Sequence, residues 1–182
     1  MTKREKYISI LSKVPNTERL IEWLDTTDFF TAPASTKYHG AYEQGLVEHS
    51  LNVYEQLLMS ENAGCFGKES IIKVALLHDL CKANFYTVDY RNAKIDGQWE
   101  RVPFYAVKDD FPYGHGEKSV LLASRFIDLT ESEQMAIRWH MGAFDEAVKG
   151  GFNLSQVYEK YPLALELHIA DLRASYLVEK RK

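Results

Sequence analysis

The chain has 182 residues, 46% of them hydrophobic and 26% charged, with a formal net charge of −4. That length and balance suit one globular domain with a sizeable core. The negative balance gives no global field for a long polyanion, and no apolar run approaches the roughly 20 residues of a membrane span, so no membrane partner is expected.

The start, Met1 to Lys6, is charged and no long apolar stretch follows it. It does not read as a signal peptide, and a cytoplasmic location is the expectation. Residues 5–13 read as a short helix, broken at Pro15-Asn16. Asn16 is placed to cap a second helix through about Leu24, with Leu20, Ile21 and Leu24 on its apolar face. Phe29 to Gly40 has no helical period and reads as an ordered loop, a kind of segment that often carries function; His39 sits in it. Over residues 44–60, Val47, Leu51, Tyr54 and Leu58 recur at helical steps, and His49 lies one turn before Val53. Gly64 and Gly67 separate this helix from a central one over about 68–83. Ile71, Ile72, Val74 to Leu77 and Leu80 make that helix apolar nearly all round, so it belongs inside the domain.

The character then changes. Tyr86 to Tyr90 and Gln98 to Val102 alternate like strands, and Asp96-Gly97 between them is a hairpin turn signal. Residues 85–112 therefore read as a flap inserted into the helical domain. Pro112 to Ser119 leads into a helix over about 117–128 without P-loop spacing. Thr130 and Glu133 form a capping box for a helix that carries Met135, Ile137 and Trp139 and reaches His140. Gly150-Gly151 closes a linking segment, and a last helix from about Pro162 sets Leu163, Leu167, Ala170, Ala174 and Leu177 on one face. There are no internal repeats or low-complexity tracts. The predicted fold class is mainly α: a single helical bundle over 1–182 with a small inserted β hairpin.

His78-Asp79 at the end of the apolar run is out of place in a core, because a buried carboxylate needs a strong partner. A satisfied His–Asp hydrogen bond would explain an isolated pair. Here His49, His115, His140 and Asp171 stand in similar helical settings, and imidazole with carboxylate suits first-row divalent metals: Fe, Mn, Zn, Ni or Co, one or two ions. His49, His78, Asp79 and Asp171 would form one site, and Asp79, His115 and His140 a second, with Asp79 as the bridge. Two such ions suit in-line attack at phosphorus. Of the two cysteines, Cys65 and Cys81, neither has zinc-clip spacing, and Cys81 reads as a small core residue.

The order His, His-Asp, His, His, Asp resembles the HD-domain superfamily of metal-dependent phosphohydrolases, over roughly residues 32–178. Gly45 to Leu51 looks like that family's first His motif, Leu76 to Lys82 like its namesake motif and Asp171-Leu172 like its closing Asp. His115 and His140 match the subset that binds two metals, and the layout is similar to the HD domain of bacterial 3′–5′ exoribonucleases. Cys81 departs from the Gly usual after the namesake triplet, and Met141 stands where many relatives have a second His. The resemblance implies hydrolysis of a phosphoester by metal-activated hydroxide, with Asp79, Lys82 and Lys118 as catalytic residues. Lys82 and Lys118 would hold phosphate, and His39 would close over the substrate. Arg91 and Arg101 on the flap are weaker candidates, and His168 reads as structural. The expected substrate is a nucleotide or similar small phosphorylated compound. The alternatives are a 3′–5′ exonuclease-like hydrolase on single-stranded nucleic acid, or a mixed-valent di-iron oxygenase with the same ligands.

Overall fold

The computed structural model describes residues 1–149, 151 and 153–179. Its helices run in the order α1 (Lys3–Leu11), α2 (Glu18–Asp25), α3 (Gly45–Leu58), α4 (Lys68–Leu77), α5 (His115–Ser124), α6 (Glu131–Trp139), α7 (Asn153–Lys160) and α8 (Pro162–Arg173). Strands β1 (Tyr86–Ile95) and β2 (Gln98–Val107) form one antiparallel hairpin between α4 and α5. The fold is mainly α with an inserted hairpin, as the sequence predicts. Among the described residues, no helix is long and apolar enough to cross a membrane.

The core is built on α4, whose Ile71, Ile72, Val74, Ala75, Leu76 and Leu77 are all buried. Leu46, Val47, Val53 and Leu57 of α3, Ile137 of α6 and Leu163, Ala164 and Leu167 of α8 pack in the same cluster. Two polar anchors fix α4 among its neighbours. The buried Tyr7 hydroxyl of α1 donates to the Leu76 carbonyl at 2.8 Å. The Thr130–Glu133 capping box of α6 is formed, and its buried Glu133 also accepts from Ser70 Oγ at 2.7 Å and Lys73 Nζ at 3.3 Å.

Several boundaries differ from the sequence reading. Helix α4 stops at Leu77, not near residue 83, because Asp79 leaves the helical region (φ −105°, ψ 20°) and Leu80–Lys82 form a 3₁₀ turn. The Cys81 N–H takes Ser119 Oγ at 3.1 Å as its acceptor, which ties this turn to α5. Asn16 does not cap α2. It adopts a left-handed conformation (φ 61°), which Asn tolerates, and Thr17 precedes the helix. Helix α5 begins at His115, two residues early. The strands run to Ile95 and from Gln98, paired from Tyr86↔Val107 to Ile95↔Gln98, about twice as long as predicted. Their turn is Asp96-Gly97, as expected, with both residues at positive φ. Helix α7 was not predicted, and Gly150 of the linking segment lies outside the described residues.

Candidate metal centre

Each candidate ligand sits where the fold can aim it inward. His49 is in the second turn of α3, His78 caps α4, and Asp79 follows at the chain's exit from that helix. His115 opens α5, His140 caps α6, and Asp171 is in the last turn of α8. All six come together at one end of the bundle. The Asp79 carboxylate is buried at the centre, and its two oxygens divide the histidines. Oδ2 faces His49 Nε2 at 3.6 Å and His78 Nε2 at 3.5 Å. Oδ1 faces His115 Nε2 at 2.9 Å and His140 Nε2 at 3.6 Å. Asp171 Oδ1 lies 3.3 Å from His49 Nε2 and accepts from Ser175 Oγ at 3.2 Å.

The imidazole orientations are set from behind. His78 and His140 each end a helix, and each turns Nδ1 back to a carbonyl three residues earlier: Ala75 O at 2.8 Å and Ile137 O at 2.7 Å. A carbonyl accepts only, so Nδ1 carries the proton and the Nε2 lone pair points into the cluster. His49 Nδ1 bonds Glu179 Oε1 at 2.9 Å, and its Nε2 stands 3.2 Å from His78 Nε2. His140 Nε2 is buried with no hydrogen-bond partner. The inward Nε2 lone pairs of His78 and His140, the latter without a partner, together with His49, His115 and two carboxylates make a donor set that fits a divalent transition metal. The buried cluster of His49, His78, Asp79 and His140 could hold a metal ion.

Close backbone packing makes this convergence possible. A Cβ at Gly116 would stand 2.1 Å from the Arg138 carbonyl oxygen, so the start of α5 rests directly on the end of α6. This brings the His115 and His140 rings to 5.1 Å. A Cβ at Gly45 would stand 2.0 Å from the Gly40 carbonyl oxygen, so the loop carrying His39 is laid against the start of α3. His168 donates from Nδ1 to the His140 carbonyl at 2.7 Å and fills the space a side chain at Gly142 would need. It is structural, as expected.

Electrostatics follow from burial and these contacts. Burial lowers the basicity of His49, but its bonds to Asp171 and Glu179 outweigh this and raise its pKa to about 10. His115 is also raised to about 10, burial being overcome by Cys81 and Asp79. Burial pushes His78 down to about 3, with His140 and His49 adding to the shift. Asp79 and Asp171 resist the upward push of burial and stay ionised, Asp79 mainly through Lys82 and Asp171 through its bond to His49.

Over the cluster lies a cavity of about 220 Å³, whose walls include His39, His49, Asp79, Lys82, His115 and Asp171. Lys82 Nζ donates to Asp79 Oδ2 at 2.7 Å from that wall. His39 packs its ring 4.8 Å from that of His49 and leaves Nε2 buried without a partner; burial, then His49 and Lys82, lower its pKa to about 4. Lys118 is not brought to the cavity. Its Nζ pairs with Asp109 Oδ1 at 2.6 Å between the rings of Phe85 and Phe111, which gives it a role in holding the flap's end, away from the cavity walls.

Sequence reasoning missed two contributors, Glu179 and the Cys81 thiol. Glu179 is buried, orients His49 and also accepts from Asn52 Nδ2 at 3.1 Å. It is delivered by a π-helical turn, Ala174–Val178, that follows α8, and no local pattern marks it. Cys81 is buried as expected, but its Sγ lies 3.3 Å from His115 Nδ1. Tyr86 lines the cavity and donates to the Ala34 carbonyl at 3.1 Å, pinning the flap to the His39 loop. Comparisons of the chain with protein-family models, with curated proteins and with solved structures give no match.

Proposed function

We propose that this chain is a metal-dependent phosphohydrolase of the HD type, acting on a phosphoester in a nucleotide or related small phosphorylated compound. The observation that carries the reading is the division of four imidazole nitrogens between the two oxygens of one buried carboxylate, Asp79. On this reading His49, His78, Asp79 and Asp171 hold one ion, and Asp79, His115 and His140 a second. When bound, divalent ions supply Lewis-acid polarisation of a phosphoryl oxygen and activation of water.

The protein's own groups do the rest. Lys82 on the cavity wall offers a positive Nζ to a phosphoryl oxygen, and its hydrogen bond to Asp79 fixes where that charge stands. His39, neutral at pH 7, presents an unpartnered Nε2 toward the same space as a hydrogen-bond group for the substrate. A cavity of about 220 Å³ lies below the usual 300–1,000 Å³ of small-molecule sites, so it takes a phosphoryl group and leaves the rest of the substrate outside. The net charge of −4 favours a small substrate over a polymer.

A screen of phosphoesters with the purified, metal-loaded chain tests the reading. Turnover of at least one small phosphoester, abolished in Asp79→Ala, is expected. Turnover that survives this substitution at the parent rate, or no turnover of any phosphoester by metal-loaded protein, would overturn it.

A further inference from the structure

The cavity over the cluster does not end at its own walls. Thr36 and Val107 also line a groove of about 380 Å³ between the His39 loop and the hairpin. That groove widens past Lys37, Arg91, Phe104 and Tyr105 into a recess of about 640 Å³. Two cations line it, Lys37 and Arg91. Lys37 and Arg91 contact only rings: Lys37 Nζ lies 5.1 Å from the Tyr38 centroid, and the Arg91 guanidinium 5.5 Å from that of Phe104. Among the described residues neither has an acidic partner. A ring face leaves the guanidinium edge free to donate, and that edge matches the geometry of a phosphate.

We propose that this groove is a second binding subsite, which takes the part of the substrate beyond the scissile phosphoester. Lys37 and Arg91 hold a second phosphate, and Phe104 and Tyr105 supply apolar, aromatic surface for a base. The substrate class is a nucleoside bearing phosphate groups at two separate positions. The assignment of the cleaved end to the cavity rests on the phosphohydrolase reading; the groove's preference for a second phosphate does not. It also gives the inserted hairpin a function, since β1 and β2 supply Arg91, Phe104 and Tyr105 from a surface that otherwise packs on little of the core.

The test is calorimetric binding of adenosine 3′,5′-bisphosphate and adenosine 5′-monophosphate to the full chain, with and without a chelator. The bisphosphate should bind roughly tenfold tighter or more, as expected for a charge-assisted contact, in both conditions. Arg91→Ala and Lys37→Ala should bring it toward the monophosphate level with an unchanged melting temperature, because both side chains are exposed. Equal binding of the two ligands by the parent chain would overturn the proposal. So would a preference that survives both substitutions, or one that vanishes with the chelator, which would assign the second phosphate to the metals. A preserved preference in a chain that hydrolyses no phosphoester would remove the phosphohydrolase reading and leave the groove.

Discussion

Gly116→Ala tests whether the approach of α5 to α6 creates the His115–His140 side of the cluster. The added methyl would stand 2.1 Å from the Arg138 carbonyl oxygen, 2.7 Å from its carbonyl carbon and 2.9 Å from its Cα. Heavy atoms in good contact sit about 3.5–4.0 Å apart, so the methyl and that oxygen must separate by roughly 1.5 Å. The obstacle is helix backbone, which cannot rotate aside as a side chain would. Overpacking of this kind costs about 1–3 kcal/mol. For a chain of 182 residues that corresponds to a fall in melting temperature of about 2–12 °C. Metal sites tolerate only about 0.2 Å in ligand distance, so on the proposed two-ion reading a separation of this size removes the ion assigned to Asp79, His115 and His140. The one held by His49, His78 and Asp171 should remain. Thermal melts and elemental analysis of Gly116→Ala read both effects, with Gly64→Ala as a control, since a Cβ there meets nothing within 4 Å. A melting temperature within a degree of the parent, together with a full complement of metal, would refute the reasoning.

Lys82→Ala should leave metal content unchanged and raise KM for phosphoesters by the tenfold or more that a charge-assisted contact is worth. Lys118→Ala should leave KM unchanged and lower the melting temperature, because it breaks the pair with Asp109; steady-state kinetics and thermal melts separate the two. Metal binding should release protons. His49 and His115, with pKa values of about 10, are protonated at pH 7 in the metal-free chain and must give up a proton to coordinate. Apparent metal affinity therefore rises with pH through neutrality and falls on acidification, and calorimetry in buffers of different protonation enthalpy would show no buffer dependence if this were wrong. Hydrolysis of small phosphoesters should change little between low and moderate salt. Processive degradation of a long single strand with a steep loss as salt rises would identify a polymer substrate instead.

What the sequence disclosed depended on whether the physics was local. The capping box at Thr130 and the Asp96-Gly97 turn are short-range devices, and both were legible. So was the burial of α4, because an all-round apolar segment has few places to go. The end of α4 was not, since nothing in Leu80-Cys81-Lys82 forbids a helix; the chain leaves it where Asp79 turns into the cluster and Ser119 offers the Cys81 N–H a new partner. The outer halves of the strands are exposed on both faces, so they lack the alternation that marks a half-buried strand. Helix α7 buries Val157 alone, too little to print a periodic signal. In the site, the six residues read as ligands converge, because helix ends in an apolar setting leave polar groups few other partners. Lys118, beside a ligand in sequence, pairs with Asp109 away from the cavity, and Glu179, which no local pattern marks, reaches His49 across 130 residues.

The most direct test of the metal centre is the stoichiometry of divalent metal in the parent chain, in Asp79→Ala and in His140→Ala, all purified under one metal supply. With Asp79 facing all four histidines, its loss should empty the whole cluster, while loss of His140 should cost one ion and spare the site at His49, His78 and Asp171. Full metal content in folded Asp79→Ala, or a parent chain that takes up no metal when supplied with it, would contradict the account.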